Sequence, residues 1–146
     1  MIKKSMEKVG LGVIFDMDGA DNLIIDLYEA GTLLSIGSSA PMENIRAVMS
    51  ATHRDIYFKV ITDASEVNRG KPDPEIFLKT AGKMELPPER CAVVEDAHAG
   101  VRAGRSAGCA VIALTGTATR EQLEEADLIA DSLRELTPDI FKSLLI

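Results

Sequence analysis

The stretch Val13-Ile14-Phe15-Asp16-Met17-Asp18-Gly19 decides the fold. An apolar run of strand type ends at two carboxylates one residue apart, followed by a glycine. In a strand, positions i and i+2 point to the same face, so Asp16 and Asp18 share one side. Glycine then lets the chain turn sharply. Two like charges so close favour a bound cation or a shared proton. One reading is therefore a metal site in which one carboxylate is free to act as a nucleophile. The other is a strand capped by a solvated acidic turn, and other parts of the chain must separate the two.

Short β-branched runs alternate with helical stretches on either side of that segment. Strands are expected at Gly10 to Asp16, Thr32 to Gly37, Ile56 to Thr62, Cys91 to Val94, Cys109 to Leu114 and Leu128 to Ala130. Helices are expected at Asp21 to Ala30, Pro41 to Ala51, Glu75 to Lys83 and Ala97 to Ala107. Thr119 with Gln122 forms a capping-box pattern ahead of a helix through Ala126. A last helix runs from Leu133 to Leu145, interrupted near Pro138. Strands alternating with helices imply a parallel α/β sheet with right-handed crossovers. In such sheets ligands bind at the carboxyl ends of the strands.

The 146 residues suit one domain. Hydrophobic content of 46% and charged content of 27% are ordinary for a soluble globular protein. The net charge of −7 argues against nucleic acid as a partner. The apolar stretch Leu11 to Phe15 is too short for a signal sequence, and no run approaches a membrane span. A cytoplasmic location is expected, with Cys91 and Cys109 as buried reduced thiols.

Polar residues collect at the expected strand ends. Ser38-Ser39 follows the second strand, where it can cap the next helix or bind a phosphate at the helix N-terminus. Lys71 lies in Arg69-Gly70-Lys71-Pro72-Asp73-Pro74. It reads either as a solvated loop lysine or as a cation held in a stiff loop, able to neutralise a phosphoryl group and a carboxylate together. Glu95-Asp96 closes the fourth strand, as a helix cap or, with Asp16, as an oxygen-rich cage suited to Mg²⁺. Two acid pairs, a hydroxyl and a lysine in this order favour the functional reading. His53 and His98 read as surface residues, and Glu121, Glu124 and Glu125 as a solvated face. Gly100 and Gly104 are expected to allow close helix–sheet packing.

Four segments carry a resemblance: Val13 to Gly19, Ser35 to Ser39, Gly70 to Phe77 and Val93 to Gly104. Together they resemble the haloacid dehalogenase superfamily of Mg²⁺-dependent phosphotransferases, in its β-phosphoglucomutase-like branch. The resemblance spans Gly10 to about Leu136. It implies a three-layer, Rossmann-like core with Asp16 as the nucleophile that forms an aspartyl-phosphate. Asp18 would be the general acid/base and lend its backbone carbonyl to Mg²⁺. Ser38 and Ser39 would hold the phosphoryl group and Lys71 would neutralise it. Asp96 would bind Mg²⁺, with Glu95 a ligand or an acceptor just outside the ligand set.

The chain departs from this branch after its first motif: position 20, commonly Thr or Val, is alanine, the usual polar turn and β-flap are not expected there, and the cap is missing. Relatives usually carry a helical cap domain between the first and second motifs, but only residues 20–37 separate Gly19 from Ser38 here. A helix and a strand consume nearly all of them. The expectation is one capless core over residues 1–146. Its implied activity is a phosphatase acting on a small phosphorylated metabolite or a phosphorylated macromolecule. The alternative is a catalytically impaired remnant that serves as a binding or assembly module. Sugar-phosphate mutase activity is a weaker third, because an open site holds a reorienting bisphosphate poorly. A second subunit could cover the open mouth.

Overall fold

The computed structural model describes residues 10–16 and 22–146, and β1 (Gly12–Phe15) lies near the middle of its sheet. β2 (Leu33–Gly37) and β3 (Phe58–Thr62) extend the sheet on one side of β1. β4 (Cys91–Glu95), β5 (Ala110–Leu114) and β6 (Leu128–Ala130) extend it on the other. The order is β3-β2-β1-β4-β5-β6, and every neighbouring pair is parallel. The chain builds outward from β1 through β2 to β3, then returns to lay β4 on the opposite side of β1. Where strand order reverses, the connections leave in opposite directions and open a crevice at the carboxyl ends. β1 and β4 flank that point.

The pleat sorts the core into two layers. Val13 and Phe15 of β1, with Ala92 and Val94 of β4, pack against α1 (Asn22–Glu29) and α5 (Pro138–Leu145) through Leu23, Ile24, Leu27 and Phe141. Ile14, Val93 and Val111 point the other way, to Ile76 and Phe77 of α3 (Glu75–Lys83) and Val101 of α4 (His98–Ala107). Alternate residues of one strand must face opposite sides, so a strand buried on both reads as an unbroken apolar run. All four residues of β1 and all five of β4 are buried. α2 (Met42–Thr52) covers Ile36 near the sheet edge with Ile45 and Met49, a smaller cluster than the other two.

Close approach explains Gly104. A Cβ there would lie 2.7 Å from Val111 Cγ2, so α4 sits nearer the sheet than a larger residue permits. Cys91 and Cys109 are buried and unpaired, as expected. Burial pushes their thiols up to about 11 and about 12.

Three segments differ from expectation. Residues 119–126 form successive turns in place of a helix. The Thr119 N–H does donate to Gln122 Oε1 at 2.9 Å, but only Leu123 is buried in that stretch. One apolar anchor cannot offset helix nucleation. Asp127 then draws the chain back to β5, its carboxylate accepting from the Val111 N–H at 2.7 Å and from Arg105. The third strand starts two residues late, at Phe58, because Asp55–Tyr57 form a 3₁₀ turn that leaves Ile56 exposed. The last helix begins at Pro138 itself, where proline's missing N–H is harmless, after a 3₁₀ turn at Leu133–Glu135.

Candidate active site

Parallel pairing brings distant parts of the chain to one place. Phe15 is level with Ile36 of β2 and Val94 of β4, so Asp16, Ser38, Glu95 and Asp96 emerge from three adjacent strand ends. The Asp16 N–H donates to the Val94 carbonyl at 3.2 Å, which extends the ladder to the acid itself.

Lys71 reaches this point from the loop ahead of α3. Its ammonium donates to Asp16 Oδ1 at 2.6 Å and to Glu95 Oε2 at 2.7 Å. It also lies 4.9 Å from the centre of the Phe77 ring. Side-chain exposure is 10% for Lys71, 20% for Asp16 and 1% for Glu95, so solvent screens the contact weakly. The loop is tied down by more than its prolines. Glu75 accepts the N–H groups of Asn68 and Arg69 at 3.0–3.1 Å, and the Glu75 N–H donates to Asp73 Oδ1 at 3.0 Å. Pro72 follows Lys71 through a cis peptide bond.

Charge in the cluster is unequal, with three acids around one lysine. Burial works against the Lys71 charge, but the Glu95 and Asp16 carboxylates outweigh it and hold the ammonium above its ordinary pKa. Burial pushes the Glu95 carboxyl up to about 7, against the pull of Lys71 and with the repulsion of Asp16. Asp16, Glu95 and Asp96 each offer a carboxylate oxygen, all within 4.8 Å of one another. An all-oxygen set with excess negative charge fits a hard dication such as Mg²⁺.

Glu95 depends on a neighbour. A Cβ on Gly100 would lie 1.9 Å from Glu95 Cδ, so the carboxylate occupies the space where that side chain would be. The sequence marks Gly100 as a packing glycine; the structure shows that what it admits is the acid. Asp96 is held through its backbone, its N–H donating to Glu95 Oε1 at 3.1 Å and its carbonyl accepting from Thr117 Oγ1 at 3.0 Å. Sequence reading passes over Thr117, which lies in a loop with no motif of its own.

Ser38 is buried at the end of β2. Its N–H donates to the Thr62 carbonyl at 3.0 Å, and its hydroxyl accepts from the Ala40 N–H at 3.1 Å. Ser39 is exposed and lines a cleft of about 290 Å³ with Asn68, Gly70 and Lys71. Of the expected site residues, Asp16, Lys71, Glu95 and Asp96 thus converge, and Ser38 and Ser39 sit on the neighbouring loop. Asp18 lies outside the described residues.

The model of the haloacid dehalogenase-like hydrolases matches residues 7–108. The chain belongs to that family. It is 39% identical over 124 residues to hexitol phosphatase A of Escherichia coli, covering 83% of this chain and 56% of that protein. It is 32% identical over 120 residues to validoxylamine A 7′-phosphate phosphatase of Streptomyces hygroscopicus, covering 82% and 56%. Among solved structures, a β-phosphoglucomutase of Clostridium difficile superposes with a TM-score of 0.78 at 28% identity, covering 88% of this chain and 56% of that one. The chain therefore spans little more than half the length of these relatives. No helix among the described residues is long and apolar enough to cross a membrane.

Proposed function

We propose that this haloacid dehalogenase-like chain is a Mg²⁺-dependent phosphoric monoester hydrolase that works through a phosphorylated Asp16. The observation that carries the reading is the position of the Lys71 ammonium, 2.6 Å from Asp16 and 2.7 Å from the buried Glu95. A carboxylate attacks a phosphoryl group only where the charge of both is offset, and Lys71 offsets both.

In the first step an Asp16 carboxylate oxygen bonds to phosphorus and the ester P–O bond breaks. The leaving alcohol takes a proton from Asp18, a role assigned from the family's sequence pattern. In the second step water attacks phosphorus, Asp18 accepts its proton, and the acyl-phosphate P–O bond breaks to restore Asp16. Ser38 and Ser39 orient the phosphoryl group at the end of β2. Asp16, Glu95 and Asp96, with Asp18 by the family's sequence pattern, would hold Mg²⁺, which would supply positive charge to the phosphoryl group.

The substrate we propose is a small phosphate ester. The names of the two phosphatase relatives support this, and the net charge of −7 disfavours nucleic acid. Two buried free thiols suit a reducing compartment, so we place the protein in the cytoplasm.

Residues 22–37 are occupied by α1, a turn and β2. This supports a core whose cap is missing between the first two motifs, and it favours one second reading, a phosphate-binding module without turnover. The test is Mg²⁺-dependent release of phosphate from p-nitrophenyl phosphate and a panel of sugar and polyol phosphates. Turnover abolished in Asp16→Asn is expected; equal rates in wild type and variant refute the enzyme and leave the binding module.

A further inference from the structure

We infer that Asp63 is the positioning residue of the phosphate loop, fastening the first turn of α2 and the Ser38–Pro41 segment to the end of β3. The inference rests on the reading that Ser38 and Ser39 hold the phosphoryl group. α2 begins behind Pro41, a residue whose side chain cannot cap a helix. The missing acceptor comes from 21 residues away: Asp63 Oδ2 accepts the Met42 N–H at 3.0 Å. Asp63 is only 4% exposed. Its other oxygen accepts from Ser65 Oγ at 2.7 Å, and its own N–H donates to Glu66 Oε2 at 2.9 Å. Glu66 in turn pairs with Lys83 of α3, whose ammonium also donates to the Ile61 carbonyl at 3.0 Å. A chain of contacts thus runs from α3 through the end of β3 to α2.

The adjacent residue completes the hold. The Thr62 carbonyl accepts the Ser38 N–H at 3.0 Å, so consecutive residues of one strand end grip both ends of the loop. Without Asp63 the Met42 N–H loses its acceptor, and the hydrogen-bonded hold of the β3 end on the start of α2 is lost. The loop's serines then meet the phosphoryl group less well ordered, and phosphate binding weakens. The Asp63 charge by itself would repel phosphate; both of its oxygens are occupied by donors, which leaves the acceptor role dominant.

The experiment is titration of inorganic phosphate in Mg²⁺ buffer into wild type, Asp63→Asn and Asp63→Ala, by calorimetry, with the unfolding of each protein measured alongside. Asp63→Ala is expected to raise the phosphate Kd about fivefold, equivalent to about 1 kcal/mol at 1.4 kcal/mol per factor of ten. Asp63→Asn keeps one acceptor oxygen and is expected to fall between Ala and wild type. A purely structural residue would lower the number of binding sites and the melting temperature at unchanged Kd, and that result overturns the proposal. So does equal or tighter binding by either variant, or a wild type that binds no phosphate. If the Kd series appears but no ester is turned over, the hydrolase reading fails and the role of Asp63 stands.

Discussion

Gly100→Ala joins packing to chemistry in one methyl group. The added Cβ would lie 1.9 Å from Glu95 Cδ and 2.0 Å from Oε2. Carbon contacts are comfortable at about 3.5 Å, so the carboxylate must retreat by about 1.5 Å. Lys71 now holds that oxygen at 2.7 Å. A retreat of that size takes the pair to about 4 Å, beyond hydrogen-bond reach. Loss of a charge-assisted hydrogen bond costs about 1.5–3 kcal/mol. Forcing atoms into a packed site costs about 1–3 kcal/mol more. Alanine regains up to about 1 kcal/mol of helix propensity in α4. The net expectation is a loss of about 3 kcal/mol, a large part of a typical total of about 5–15 kcal/mol. Urea unfolding of Gly100→Ala, Glu95→Ala and the double variant measures it. Glu95→Ala removes the atoms that collide, so Gly100→Ala in that background should cost about 1 kcal/mol or less. If the two substitutions add within about 0.5 kcal/mol, Glu95 is not what Gly100 accommodates, and the reasoning fails.

Gly82 and the two buried thiols give further tests. A Cβ at Gly82 in α3 meets nothing within 4 Å, so Gly82→Ala should stabilise by about 0.5–1 kcal/mol, read as a higher urea midpoint. The thiols of Cys91 and Cys109 lie at about 11 and about 12 in the folded protein, above the ordinary 9.0. The folded state therefore retains protons that the unfolded state gives up. The stability this contributes is full below pH 9.0 and is lost as pH rises through the folded values of about 11 and about 12. Melting temperature should fall above pH 9.0, and less steeply in a Cys91→Ala/Cys109→Ala double variant; parallel curves would assign the fall to other groups.

Much of this molecule was legible in its sequence. Short apolar runs such as Val13–Phe15, alternating with stretches of helical period, imply a parallel sheet covered by helices. Carboxylates placed just after such runs must then share one edge. This is why Asp16, Glu95 and Asp96 can be grouped from the sequence, whereas Lys71, in a loop ahead of α3, joins them there only through the family resemblance. Residues 119–126 mislead because a capping signature describes how a helix starts, whereas burial decides whether it continues. Asp63 is hidden for a related reason. The pattern Asp63-x-x-Glu66 marks a local cap, but the helix that Asp63 also caps begins 21 residues earlier in the chain.

The sequence by itself determined the alternation of strands and helices and the polar residues at the strand ends, because periodicity is a local property of the chain, and its motifs carried the resemblance to the family. Only the tertiary structure decided that Lys71 bridges Asp16 and Glu95, that Gly100 is small to admit a carboxylate, and that Asp63, just after β3, supplies the acceptor that Pro41 cannot. Each of these is a contact that strand-by-strand reading does not contain. Their distances are set by strand register and by how closely a helix approaches the sheet, quantities that exist only once the whole core has packed.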